Sequence, residues 1–249
     1  MKTKLLLFFL VVFLVTGFLK NRLPASVDIV DALYIEPEQV EVIADPVEIE
    51  KGGMVYTVQP LYAYELQGLI VSDHKTGGWF DYYHSQWKDT LNIKDVCVVW
   101  GDNLTDDNFR KMKYKNGSWT CYYSSPNREV WRRFNADALS NNHILVDDDH
   151  LAGLLMKAGR GDQIALKGYL SEYSHQEGFK RGTSISREDK RGGACETIYL
   201  TDFEILKRGN VFWAIVHAMV KGALILLCFW SVISFFLPPA VLKRMSFKK

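Results

Sequence analysis

The chain has 249 residues, 48% hydrophobic and 24% charged, with a formal net charge of +1, enough for one ordinary domain with appendages. The near-neutral total hides an asymmetry: all 29 acidic residues lie in residues 23–210, beside only 21 of the 30 basic ones, so that segment carries −8. A module of that sign is poorly suited to gripping a phosphate backbone, where affinity comes largely from Lys and Arg displacing counterions, and nucleic acid drops out as an expected partner.

Residues 4–19, KLLLFFLVVFLVTGFL, form an apolar run behind Lys2. Its length fits a signal-peptide core or a short, tilted membrane anchor. Lys20, Asn21, Arg22, Leu23 and Pro24 follow it instead of a small-residue cleavage site, with only Ala25 and Ser26 as weak candidates. That favours an uncleaved anchor over residues 1–22. Residues 23–53 hold eight acids between Asp28 and Glu50 with no Lys or Arg, and carry Pro37 and Pro46. A charged, proline-punctuated segment is expected to be an extended stalk, although the alternation of Val40, Val42 and Ile43 allows a strand.

From residue 54 to 207 the composition is globular. VYTVQPLYAYELQGLIVS (55–72) alternates as a long strand, or two strands kinked at Pro60. WFDYYHSQWKDTLNI (79–93) is aromatic and ambiguous between helix and loop, and DVCVVWG (95–101) reads as a buried strand. TDDNFRKM (105–112) predicts a short helix capped by Thr105, and GSWTCYY (117–123) another strand. DDHLAGLLMKAG (148–159) is the clearest helix, with Asp148 as cap, Leu151, Leu154 and Leu155 on one face, and Gly159 as its stop. Strands follow at 160–174, bent at Gly168, then at 178–186 and 194–206. Short strands with few helices ending in a curved meander predict a mainly β domain. An OB-like, partly open β-barrel is the first expectation and a two-layer α+β sandwich the second.

Residues 211–237, VFWAIVHAMVKGALILLCFWSVISFFL, are long enough for a membrane helix, so a transmembrane segment is expected within residues 208–239. His217 and Lys221 interrupt it four residues apart on one face, which points either to a polar contact with another membrane helix or to a place nearer the membrane interface. Lys243, Arg244, Lys248 and Lys249 place the tail, 240–249, in the cytoplasm by the positive-inside rule. The β-rich domain is then expected outside the cytoplasmic membrane, flanked by N- and C-terminal membrane helices.

NNHIL (141–145), GDQIALKGYL (161–170) and SISREDKRGGACETIY (184–199), with VVWG (98–101) upstream, resemble an uncharacterised group of bacterial exported proteins. Those share an Asn-x-His, a Gly-Asp-x-x-x-Leu-x-Gly-Tyr-Leu strand, and a Ser-x-Ser-Arg-x-Asp loop leading to Gly-Ala-Cys-Glu. The likeness covers roughly residues 55–205. This chain departs from it in Lys190-Arg191, where the group has Thr-Gly, and in its C-terminal span. The resemblance implies an envelope location and no particular activity; joined to the topology above, the expectation is a bacterial inner membrane with the main domain periplasmic.

Two clusters carry candidate chemistry. In the loop 184–199, Cys195 is a candidate nucleophile with His143 as base and Glu196 or Asp189 orienting it. The alternative is a tight turn capped by Asp189, with Arg187 paired to a carboxylate. In NNHILVDDDH (141–150), His143, Asp147 and His150 offer zinc- or manganese-type ligands, against the plainer role of acids at a helix start. His74, His84 and His175 are expected at the surface. Cys97, Cys121 and Cys195 allow one disulfide with one thiol left over, and the pair is open; a buried loop thiol would make Cys97–Cys121 the natural bond. Most aromatics of 79–123 are expected in the core, with a groove for glycan or peptide as the alternative. The expected function is a membrane-anchored scaffold or binding protein in a cell-envelope assembly, partnered by membrane lipid and by an envelope protein or a second copy, with no cofactor. The rival is a metal-assisted hydrolase acting on an envelope polymer.

Overall fold

The computed structural model describes residues 2–78, 82–117, 119–186 and 195–236. They fall into two compact units, Leu23–Gly209 and the chain ends Met1–Arg22 with Asn210–Lys249. The chain opens with helix α1 (Lys2–Lys20) of the second unit.

In the larger unit, β1 (Glu38–Glu41) and β2 (Val47–Lys51) precede the long strand β3 (Met54–Lys75). Then come α2 (Tyr82–Gln86), β4 (Asn92–Val99), the hairpin β5 (Lys113–Asn116) and β6 (Cys121–Ser124), α3 (Arg128–Arg133) and β7 (Leu139–Leu145). Helix α4 (Asp149–Lys157), β8 (Gln163–His175), the two-residue β9 (Lys180–Arg181) and β10 (Cys195–Lys207) complete it. Eight of the described strands make one large mixed sheet and β5–β6 a separate hairpin, so the domain is mainly β. Strand β3 pairs antiparallel with both β4 and β8, β4 pairs with β7, β7 runs parallel to β10, and β10 pairs with β8.

The central strands are apolar on both faces. Val96 and Val98 of β4 pack with Ile70, Ile144, Leu155 and Leu166. Cys97 and Val99, which point the other way by strand alternation, pack with Leu69, Leu104, Phe109 and Val130. Leu23, Ile29 and Leu33 join this second cluster and are buried. The expected stalk is therefore corrected: residues 23–53 fold onto the domain, with β1 and β2 hydrogen-bonded to β3. Fully burying a Leu or Ile is worth roughly 1.5–3 kcal/mol. Three such anchors outweigh the repulsion among exposed acids, which water and salt screen.

Local chemistry explains the remaining departures. Strand β3 is continuous through Pro60, and the lost ladder donor is absorbed by a register shift between Pro60 and Tyr62. The helix expected at 105–112 is replaced by 3-10 turns at Gly101–Leu104 and Phe109–Lys111. There Asn108 N donates to Asp106 Oδ1 at 2.7 Å and Thr105 Oγ1 to the Asp102 carbonyl at 2.8 Å, local bonds that compete with helical bonding. Helix α4 forms as expected, with Asp148 accepting from Leu151 N at 2.7 Å. Its C-terminal carbonyls are met by the fully buried Lys94, whose Nζ donates to Ala158 O at 2.6 Å and pairs with Asp73 at 3.1 Å. Burial pushes the Lys94 pKa down. The strand expected over 178–186 shrinks to β9, because residues 182–184 bond β10 through Thr183 Oγ1, the Gly182 carbonyl and Ser184 N instead.

Gly168 is required by close approach: a Cβ there would stand 2.2 Å from the Tyr199 carbonyl oxygen. Gly168→Ala is expected to destabilise by about 1–3 kcal/mol. Gly153→Ala, at an exposed position of helix α4 with nothing within 4 Å, is expected to stabilise by about 0.5–1 kcal/mol. Paired denaturant titrations measure both.

The second unit packs α1 against α5 (Val211–Phe236). Val211–Ser234 has mean hydropathy 2.1 and, among the described residues, is long and apolar enough to cross a membrane by length and composition. His217 of α5 stacks on Phe13 with ring centroids 4.4 Å apart, and its Nδ1 lies 3.0 Å from Thr16 Oγ1. Gly17 makes room, since a Cβ there would lie 3.3 Å from the imidazole. Lys221 is exposed on α5.

Candidate functional site

Four strands converge on one buried imidazole. Alternation along β7 puts Asn141 and His143 on one face. Antiparallel pairing sets Asp95 of β4 opposite His143, and parallel pairing sets Cys195 and Thr197 of β10 opposite Asn141 and His143. Arg181 arrives from β9.

His143 and Asp95 are both fully buried. His143 Nδ1 lies 2.6 Å from Asp95 Oδ1, and its Nε2 lies 2.5 Å from Arg181 Nη2. A guanidinium can only donate, so Nε2 is the acceptor and Nδ1–H donates to the carboxylate. The imidazole is thereby fixed as the neutral Nδ1–H tautomer. Burial pushes its pKa down despite Asp95, and Arg181 adds to the depression. Asp95 Oδ1 also accepts from Asn92 Nδ2 at 3.0 Å, and Asn92 reaches His84 at 3.2 Å. Beside this chain Asp89 accepts from the Tyr173 hydroxyl at 2.6 Å. Burial raises the pKa of both Asp89 and Tyr173.

Aromatic rings wall the site. Arg181 sits over Trp119 at 4.2 Å from the ring centroid, His84 stacks on Trp119 at 4.3 Å, and Trp87 lies 4.9 Å from the same ring. Phe179 continues the wall, 5.8 Å from Trp87 and stacked on His175. Trp87, Trp119, His175, Phe179, Arg181 and Cys195 line an open cavity of about 810 Å³.

The sequence-derived candidates fare unevenly. Cys195 and His143 share this neighbourhood, but the nucleophile–base pair is not formed. Cys195 Sγ lies 3.4 Å from the Trp119 carbonyl and 3.6 Å from Asn141 Nδ2, while His143 Nε2 is occupied by Arg181. Burial raises the Cys195 pKa, keeping the thiol protonated. Glu196 is one residue out of phase and points to the opposite face of β10. Arg187 and Asp189 lie outside the described residues. The metal trio is corrected: His143 is spent on Asp95 and Arg181, Asp147 accepts from the Tyr199 hydroxyl at 3.0 Å, and His150 is exposed on α4. Among the described residues no group of three His, Cys, Asp or Glu is placed to hold a metal ion. His84 and His175, expected at the surface, are buried as parts of the aromatic wall. Cys97 and Cys121 form a disulfide, leaving Cys195 and Cys228 as thiols.

No family model, curated protein or solved structure matches the chain. The site therefore stands on its own geometry. Sequence reading missed Asp95, Arg181 and Asn92 as its members, and reached Trp119 only through the alternative of an aromatic groove within 79–123. Lys94-Asp95 at the head of a valine-rich strand was the available signal, since charges in an apolar run demand partners. Arg181, in an ordinary basic turn, carried none.

Proposed function

We propose that this protein is a membrane-anchored binding protein of a bacterial envelope assembly, its β-rich unit on the periplasmic side, capturing a partner or ligand group in the cavity under Arg181. One observation carries the reading. Arg181 is held on Trp119 and on a neutral, buried imidazole that Asp95 orients from behind. Such a cation is preorganised for contact, whereas the nearby thiol is kept protonated and the imidazole lone pair is already used. The periplasmic side is supported by the Cys97–Cys121 disulfide and by the basic residues Lys243, Arg244, Lys248 and Lys249 beyond α5. The finer fold reading is an OB-like, partly open barrel. It is supported by the pairing order β3-β4-β7-β10-β8, by the β8–β3 ladder, and by a helix between β7 and β8.

Trp87 is 44% exposed at the cavity and suits a photo-crosslinking residue. In native membranes this substitution is expected to give one discrete adduct that disappears when Arg181→Met is added. No adduct, or one indifferent to Arg181, would rule the cavity out as the binding surface.

A further inference from the structure

The cavity also specifies the chemistry of what it holds. A guanidinium carries five N–H donors and stays charged at any physiological pH. Among the described residues only one of those donors finds a partner, His143 Nε2, and no carboxylate lies within ion-pair distance of Arg181. The other cations at the cavity are neutralised, Lys88 by Glu177 at 2.7 Å and Lys180 by Glu172 at 3.0 Å. Asp95 lies behind the imidazole, so the charge order runs from negative inside to positive at the cavity. Trp119 Nε1 is a second buried donor with no acceptor among the described residues. What both groups lack is an acceptor.

Trp87, Trp119, Phe179 and His175 add ring surface to the lining, beside contributions from Gln86 and Thr183. The volume, about 810 Å³, lies in the range of small-molecule sites, roughly 300–1,000 Å³. We infer that the cavity takes an organic oxyanion, a carboxylate or phosphate carried on an apolar ring-sized body. Its oxygens accept from the spare Arg181 donors, and its body lies against Trp87 and Phe179. This deepens the binding reading above and rests on it.

Calorimetric titration of the full-length protein in detergent tests the inference with simple probes. Phenylacetate and phenyl phosphate carry both ring and charge, 2-phenylethanol only the ring, and acetate and inorganic phosphate only the charge. Both ring-bearing anions are expected to bind with a Kd in the low millimolar range or tighter, on the order expected of a fragment of about ten non-hydrogen atoms. The alcohol and the bare anions are expected to bind at least about tenfold more weakly, the ratio a charge-assisted hydrogen bond supplies. The stronger of the two ring-bearing anions then identifies the oxyanion as carboxylate or phosphate. Arg181→Met is expected to bring phenylacetate and 2-phenylethanol within about twofold of each other. Should that variant not fold, Arg181→Lys keeps the charge and is expected to retain the preference for the acid at reduced strength. Equal binding of acid and alcohol, or acid binding untouched by either Arg181 change, overturns the inference. If neither anion binds while the Trp87 adduct persists, the oxyanion assignment falls and the cavity stands as a binding surface; if the adduct is absent too, both fall.

Discussion

His143→Ala is expected to lower the unfolding free energy by about 3–5 kcal/mol, the cost of removing one member of a buried pair. The substitution leaves the buried Asp95 carboxylate with Asn92 Nδ2 as its one remaining donor among the described residues, and its Oδ2 already lacks a partner there. It also removes the acceptor that holds Arg181. Denaturant titration of the full-length protein in detergent, followed by tryptophan fluorescence, measures the loss; a change under about 1 kcal/mol would mean the imidazole is a spectator. A pH series adds a sign. The folded-state pKa of His143 lies below the ordinary 6.5, so below 6.5 the unfolded chain takes up a proton that the folded chain refuses. Its stabilising contribution is present above 6.5 and is lost as pH falls toward the depressed value. Asp89 works in the opposite sense: its raised pKa gives stability that is full below 3.8 and is lost as pH rises through the folded value. The difference between wild type and His143→Ala therefore isolates the imidazole, and it is expected to shrink as the solution is acidified below 6.5.

Much of this fold was readable from periodicity. Helix α4 with its Asp148 cap, the alternation of β3 and β8 and the apolar length of α5 are local patterns, and each formed close to where those patterns placed it. The stalk failed because composition weighs every residue equally. Eight acids outvote Leu23, Ile29 and Leu33 in a count, yet the three apolar side chains decide the packing. The site was half legible. His143 and Cys195 stand out by residue type, and register does bring their strands together. What each does is set by neighbours distant in sequence: Asp95 is 48 residues and Arg181 38 residues from His143. Only the pairing of β4, β7 and β10, together with the turn into β9, turns an apparent base into the support for a cation. His217 shows the same limit in the apolar unit. Its polar partner was inferable, but Thr16 and Phe13 as its neighbours depend on how α1 and α5 pack.

Removing the Cys97–Cys121 bond with a double alanine substitution is expected to cost about 3 kcal/mol, the loop-closure value for a span of this size. The two cysteines are 24 residues apart and link β4 to β6. Both belong to the apolar cluster that also holds Leu33, Leu69 and Phe109. The bond thus fastens the β5–β6 hairpin, which stands outside the main sheet, to a central strand of that sheet. Without it the hairpin keeps its packing and the hydrogen bonds of Asn141 to Asn116 and to the Trp119 carbonyl, and Trp119, at the turn of that hairpin, loses its disulfide tie to the sheet beside Arg181. Binding at the cavity is therefore expected to weaken together with stability, whereas a bond serving stability alone would leave affinity unchanged in the fraction that remains folded. Denaturant titration reads the first effect and the Trp87 adduct the second. The same bond reports the compartment. Acid-trapped cells, alkylated under denaturing conditions without reductant, are expected to yield two adducts per chain, on Cys195 and Cys228. Four adducts would mean that both sulfurs of the pair are reduced in the cell, and the β-rich unit would then belong on the reducing side of the membrane.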